Sequence, residues 1–245
     1  MVSDKPSRFT SDRRPPSRSS WADDADWNAG GGEGVEVVGG ELVGRDLERH
    51  SEIPGSSIDD FEANLYENKS KTLSDYYAGH LSKFSRQQGT VQSGSHALQA
   101  VSDGNTYPII STSGLNHPQR GDTFEIYYYA GTTGEPQMSV VWAAQDAANF
   151  YSLEINNDSP DDVLYLKKDG STLASTGSGD STPRSEWQRV VIDWQSTITC
   201  ELHNSNGSPD YSVSAPDTEY SSGGVGFIAG ASGSGKSYWD SFWII

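Results

Sequence analysis

The sequence predicts an all-β sandwich preceded by an N-terminal arm, and three observations carry that prediction. Short runs alternate apolar and polar residues at the two-residue period of strands, as in Thr123–Ala130 (TFEIYYYA) and Gln137–Ala144 (QMSVVWAA). Turn-forming clusters at 156–162 (NNDSPDD), 168–171 (KDGS) and 204–210 (NSNGSPD) separate such runs at the spacing of a sandwich. No segment beyond Ile58 shows the 3.6-residue period of a long amphipathic helix. With 245 residues, 33% apolar and 11% aromatic, the chain can fill one sizeable core.

In chain order, residues 1–20 hold five basic and two acidic residues; against a total of −17, the remainder carries −20. This tail is rich in Pro, Ser and Arg and nearly free of aliphatics. It cannot offset its ordering entropy, so it is expected to be mobile until a partner, acidic by complementarity, holds it. Residues 21–55 open on WADDADW, pass three glycines at 30–32 and offer Val35, Val37 and Leu42 as strand material around Gly39-Gly40. Too small to fold alone, this arm is expected to pack onto the body or a neighbouring subunit. Ile53-Pro54-Gly55 punctuates the chain before the body at 56–245.

Residues 66–86 are open between a helical turn and a loop crossing the sandwich. Strands are then expected at 97–101, 108–112, 123–130, 137–144, 150–155, 163–167, 187–194, 199–202, 225–229 and 238–244. Alternation places Phe124, Ile126, Tyr128 and Ala130 in the core, and Thr123, Glu125, Tyr127 and Tyr129 on an exposed or half-exposed face. On the following strand Met138, Val140, Trp142 and Ala144 share a face, Trp142 being core. The single cysteine, Cys200, excludes an internal disulfide and alternates with Leu202 as a small buried apolar residue.

Four stretches, IDDFE at 58–62, GSHAL at 94–98, SEWQRVVIDWQS at 185–196 and the closing GGVGF and YWDSFWI runs, together resemble, in order, the laminin-G-like branch of the concanavalin A-like lectin and glucanase superfamily. Ile58–Glu62 (IDDFE) is similar to its first strand, Gly94–Leu98 (GSHAL) to an early turn into a strand, and Ser185–Ser196 (SEWQRVVIDWQS) to its Trp-initiated strand. The end of the chain carries a GGVGF run and a YWDSFWI run similar to its last two strands. The resemblance covers residues 56–245 and implies a concanavalin A-like jelly-roll β-sandwich. It also implies that the first and last strands meet, which would gather Asp59, Asp60 and Asp240 as ligands for a structural calcium, an ion that prefers several oxygen donors.

Gly230–Ser237 (GASGSGKS) matches the phosphate-loop pattern GxxxxGK[ST]. Phosphate binding there needs a helix to follow, and only YWDSFWII remains, so the stretch reads instead as a hairpin loop between two apolar runs. The best ligand-binding candidates are Glu125, Tyr127 and Tyr129, because pyranose rings stack on exposed aromatic rings while neighbouring polar groups bond their hydroxyls. The polar loop 156–162 is a second candidate. No paired-carboxylate spacing of a glycosidase strand, no zinc spacing among the five histidines and no nucleophilic triad is visible.

The acidic excess makes nucleic acid an unsuitable partner. It is the composition of halophilic proteins and of ordinary acidic extracellular domains alike. No apolar run is long enough for membrane insertion, and no signal peptide or twin-arginine pattern is present. A lectin-like body without an export signal, carrying a basic tail and a Trp/Gly-rich arm, leads to the expectation of a non-enzymatic virion protein, assembled in the host cytoplasm and displayed outside. Its expected role is structural or receptor-facing (capsid decoration, turret or tail fibre) in a tailed virus of a halophilic host. The expected partners are other virion proteins through the arm, further copies of the chain, and a host glycan. A carbohydrate-active enzyme or its accessory module, and a cytoplasmic binding protein, are the alternatives.

Overall fold

The computed structural model describes residues 56–245 apart from 64, 132–137, 157–162, 177–184, 204–208 and 231–233, together with the backbone of 35–38 and 41–44. The expectations for the basic tail, for Trp21 and Trp27, for the loop after Asn156 and for Gln137 lie outside the described residues. The chain divides into two units, Met1–Pro54 and Gly55–Ile245. In the first, β1 (Val35–Val38) and β2 (Glu41–Gly44) pair antiparallel, with Val35 opposite Gly44 and Val37 opposite Leu42.

The second unit begins with β3 (Ser56–Asp59), followed by a 3-10 turn, Glu67–Lys69, and the four-residue helix α1 (Leu73–Tyr76). The open segment 66–86 therefore holds both a helical turn and a crossing loop. Next come β4 (Ala78–Gly79), a second 3-10 turn at Leu81–Lys83, β5 (Phe84–Gln87), β6 (Ala97–Asp103) and β7 (Tyr107–Ser111). The middle of the chain supplies β8 (Thr123–Ala130), β9 (Met138–Ala144), β10 (Tyr151–Ile155), β11 (Leu164–Lys168) and β12 (Ser171–Ser175). The last five are β13 (Trp187–Trp194), β14 (Thr197–His203), β15 (Pro209–Pro216), β16 (Gly224–Ala229) and β17 (Ser234–Ile244).

These strands form two antiparallel sheets, a β-sandwich of jelly-roll type. One runs β15-β14-β13-β8-β17-β6-β5, with β3 also pairing β17, and the other runs β12-β11-β10-β9-β16-β7-β4. The last two strands do not form the hairpin expected from their sequence; β16 pairs β7 and β9 in one sheet, whereas β17 pairs β6, β8 and β3 in the other. The two strands thus lie in opposite sheets. Lys236 and Ser237 lie on β17 with no helix after them, so no phosphate-binding helix terminus exists there.

The inner faces close on one apolar core. Phe124, Ile126, Tyr128 and Ala130 from β8 face Val140 and Trp142 from β9 and Phe227 from β16, all at 0% exposure. Ring contacts knit the two layers: Phe124 meets Trp142 at 5.9 Å and Phe227 meets Trp239 at 5.6 Å between centroids. Cys200 is buried in the same core, where desolvation pushes its thiol well above the ordinary range and leaves it unreactive.

One expected face assignment fails. Ala143 has φ 54°, and the β9–β16 register shifts between Gly224 and Gly226. This bulge turns Ala143 into the core and sends Ala144 to a separate outer cluster with Ile110, Val141, Phe150 and Ile228. Among the described residues, no helix is long and apolar enough to cross a membrane.

Candidate functional site: the outer face of the eight-strand sheet

Alternation that buries one side of β8, β13 and β17 turns the other side outward, and register aligns those outward residues into rows. One row runs Trp187–Tyr129–Tyr238–Gln99 across β13, β8, β17 and β6. The Tyr129 ring lies 5.4 Å from Trp187 and 5.6 Å from Tyr238, and all three side chains are half-buried. The next row places Arg189 opposite both Tyr127 and His203, with Asp240 beyond Tyr127. A third places Val191, Glu125 and Trp243 side by side. Aromatic rings half-embedded in a sheet present flat apolar area at little entropic cost, since they are already fixed by their neighbours.

The expected binding residues thus share one face, with a correction. Tyr127 and Tyr129 are half-exposed as read, but Glu125 is only 4% exposed. It accepts a 2.5 Å hydrogen bond from Arg189 Nε and lies opposite Trp243 on the neighbouring strand. Its carboxylate holds Arg189 in place and is not offered to solvent. Burial, and then the Glu125 charge, raise the Tyr127 phenol, which stays protonated and able to donate. Sequence reasoning missed Trp187, Tyr238 and Arg189. The two-residue period of a strand puts Trp187 and Arg189 on one side of β13, but only strand order brings them beside Tyr129 and Tyr127.

The proposed calcium ligands do not form a donor set. β3 and β17 do meet, Asp59 lying opposite Phe242, as the resemblance implied. Yet Asp59 is fully buried and accepts from the Phe61 amide at 2.8 Å and from the Tyr66 and Tyr77 hydroxyls at 2.6 and 2.8 Å. Asp60 accepts from the Glu62 amide, and Asp240 from the Gln92 and Ser93 amides at 2.8 and 3.2 Å. Among the described residues no three His, Cys, Asp or Glu are grouped to hold a metal ion. These carboxylates anchor chain segments: Asp59 fastens the 60–77 crossing, while Asp240 and Glu62 fasten the loop at 92–96.

Burial pushes both Asp59 and Asp240 up to about 6, from 3.8. A folded-state value above the unfolded one contributes stability that is fully present below pH 3.8 and lost as pH rises through about 6. Glu62 and Asp217 are shifted the other way, and their contributions fade only below the ordinary carboxylate range. Urea midpoints should therefore rise on going from neutral pH to about pH 5, and Asp240→Asn should show a smaller rise than the parent protein. An unchanged slope in the variant would show that Asp240 is ionised freely in the fold.

No family model matches the chain, and no curated protein does. Among solved structures, the carbohydrate-binding module CBM66 from Bacillus subtilis is similar at TM-score 0.48 and 16% identity, over 68% of this chain and 92% of that one. The exoplasmic/lumenal domain of VIP36 in its Ca2+-bound form gives 0.44 and 8%, over 67% and 82%. TmCBM61 in complex with β-1,4-galactotriose gives 0.36 and 10%, over 76% and 98%. At such identities the residues of this chain must carry any argument about its site.

Proposed function

We propose that the sandwich is a non-catalytic glycan-binding module whose binding surface is the outer face of the eight-strand sheet. The observation that supports this reading is the row of Trp187, Tyr129 and Tyr238 on three adjacent strands, beside an Arg189 whose Nε is already fixed by Glu125. The rings supply stacking area for the C–H faces of sugar rings. Arg189 Nη groups, the Tyr127 hydroxyl and Gln99 supply hydrogen bonds at fixed positions. Catalysis finds no support on this face, because glycoside hydrolysis needs two available carboxylates flanking one bond and Glu125 is committed to Arg189.

In our reading the module is displayed on a virion, as a structural or receptor-facing component joined to other virion proteins through residues 21–55. The basic tail and the Trp/Gly-rich composition of that segment support it. As the accessory module of a carbohydrate-active enzyme the same face would hold polysaccharide, so the face is the common element of both readings.

Screening the full-length protein against immobilised host-surface and plant or microbial glycans should return at least one ligand. The double variant Trp187→Ala, Tyr129→Ala should bind it at least about tenfold more weakly, a loss near 1.4 kcal/mol, with Tm changed by only a few degrees. Equal binding by the folded double variant would remove this face as the site.

A further inference from the structure

A recess lies at the end of the sandwich where β7 and β9 finish and β16 begins. Its volume is about 290 Å3, and its lining includes Thr112, His117, Pro118, Ala144, Gln145 and Ser222. That volume is at the lower limit of small-molecule sites and suits one ring. In a chain of which 21% is Asp, Glu, Lys or Arg, none of the nine residues lining it is of those types. A phosphate or other anion finds no cation there, and a metal ion or ammonium group finds no carboxylate.

What the recess offers is neutral hydrogen bonding. Gln145 Nε2 donates to the Ala143 carbonyl at 2.9 Å and to the Ser222 carbonyl at 2.7 Å, which uses both its hydrogens and leaves Oε1 as an acceptor. His117 Nε2 stands 3.4 Å from Ser111 Oγ, leaving Nδ1 for a ligand. Desolvation lowers the His117 imidazole, so at neutral pH it is uncharged, with one nitrogen donating and the other accepting. Thr112 and Ser222 add hydroxyls, while Pro118 and Ala144 add apolar wall. Mixed donors and acceptors beside a small apolar wall match a ring whose hydroxyls both donate and accept.

The recess is also held rigid. Arg120 Nη2 donates to the Thr218 and Tyr220 carbonyls, and the Arg120 amide donates to the Ser221 carbonyl at 2.9 Å. Lys168 binds Asp217 and Glu219 at 2.8 and 2.7 Å, Tyr151 donates to Asp217, and Tyr220 donates to Asp169. The segment 217–221 that leads into Ser222 is thus pinned at nearly every residue, which reduces the ordering cost of binding at Ser222. At the floor, a Cβ on Gly223 would lie 2.4 Å from the Ala143 carbonyl carbon and one on Gly224 would lie 2.1 Å from the Ser111 oxygen. The backbone there is bare.

We propose that this recess is a binding site for a single neutral sugar ring, such as the terminal residue of a glycan, separate from the aromatic face and independent of it. The test is amide chemical-shift mapping of the 15N-labelled full chain with the methyl glycosides of glucose, galactose and mannose and with N-acetylglucosamine. Glucuronate and inorganic phosphate serve as charged probes. A saturable shift at His117, Gly223 and Gly224 is expected with at least one neutral probe, and not with the charged ones. It should persist in Trp187→Ala, Tyr129→Ala and vanish in Ser222→Phe, or in Thr112→Phe should the first plug not fold, both positions being exposed. Absence of any saturable shift with the neutral probes, a stronger response to glucuronate or phosphate, or a shift that survives the plug would overturn it. Loss of binding at the aromatic face alone would leave it standing.

Discussion

Asp59→Ala is expected to lower the stability of the protein by about 3–5 kcal/mol, the largest loss of any single side-chain deletion proposed here. The substitution strands three donors at once, the Phe61 amide and the hydroxyls of Tyr66 and Tyr77, in a place closed to water. Each buried group left without a partner costs about 1–3 kcal/mol. Relief of the carboxylate's own desolvation offsets part of the sum, since burial holds Asp59 near 6. Asp59→Asn keeps an acceptor at the same position and should lose clearly less. Chemical denaturation of the three proteins measures the order, and equal midpoints for parent and Asp59→Ala would show that water replaces the carboxylate. Added calcium or chelator should move none of these midpoints, because the Asp59 oxygens are committed to protein donors.

Gly226→Ala is expected to cost about 3 kcal/mol or more, although it adds only a methyl group. β16 is paired on both sides, Gly226 lying opposite Ile110 on one strand and Val141 on the other. A Cβ there would stand 2.1 Å from the Ile109 carbonyl oxygen and 2.9 Å from Ile110 Cδ1. The first of these is backbone, so the β7–β16 ladder must open to admit it. Gly170→Ala is the control: φ is 77° but nothing lies within 4 Å, so only the left-handed backbone penalty of about 1–2 kcal/mol applies. A Gly226→Ala protein as stable as Gly170→Ala would show that the two strands separate readily.

The strands that alternate cleanly were legible to the residue. Thr123–Ala130 and Trp187–Trp194 begin and end where their sequence says, because each buries one side and exposes the other at the centre of a sheet. β12 and β15 were not; their first residues read as parts of turn clusters. Both are edge strands, with exposed polar residues along most of their length, so the apolar signal that marks a strand is missing. The pairing of β16 and β17 was misread for a related reason: two apolar runs around a Gly/Ser/Lys stretch look alike whether the runs pair or lie in opposite sheets.

The binding face was half legible. Tyr127 and Tyr129 followed from alternation within one strand, whereas Trp187, Tyr238 and Arg189 join them only through strand order, which local sequence does not encode. Asp59 shows the opposite case. Its acid was visible and suggested a cation, but its partners are tyrosines seven and eighteen residues away, in the one segment whose structure the pattern left open.

The central claim, that glycan is bound on the outer face of the eight-strand sheet, is tested most directly by the tryptophan indole resonances. Trp187 lies on that face, whereas Trp142, Trp194 and Trp239 are fully buried in the core and serve as internal references. Titrating the full-length protein with the glycan found by screening should shift the Trp187 Nε1–H signal saturably, with the same midpoint as bulk binding, while the three core indoles stay fixed. A glycan that binds with the Trp187 signal unmoved would contradict the account.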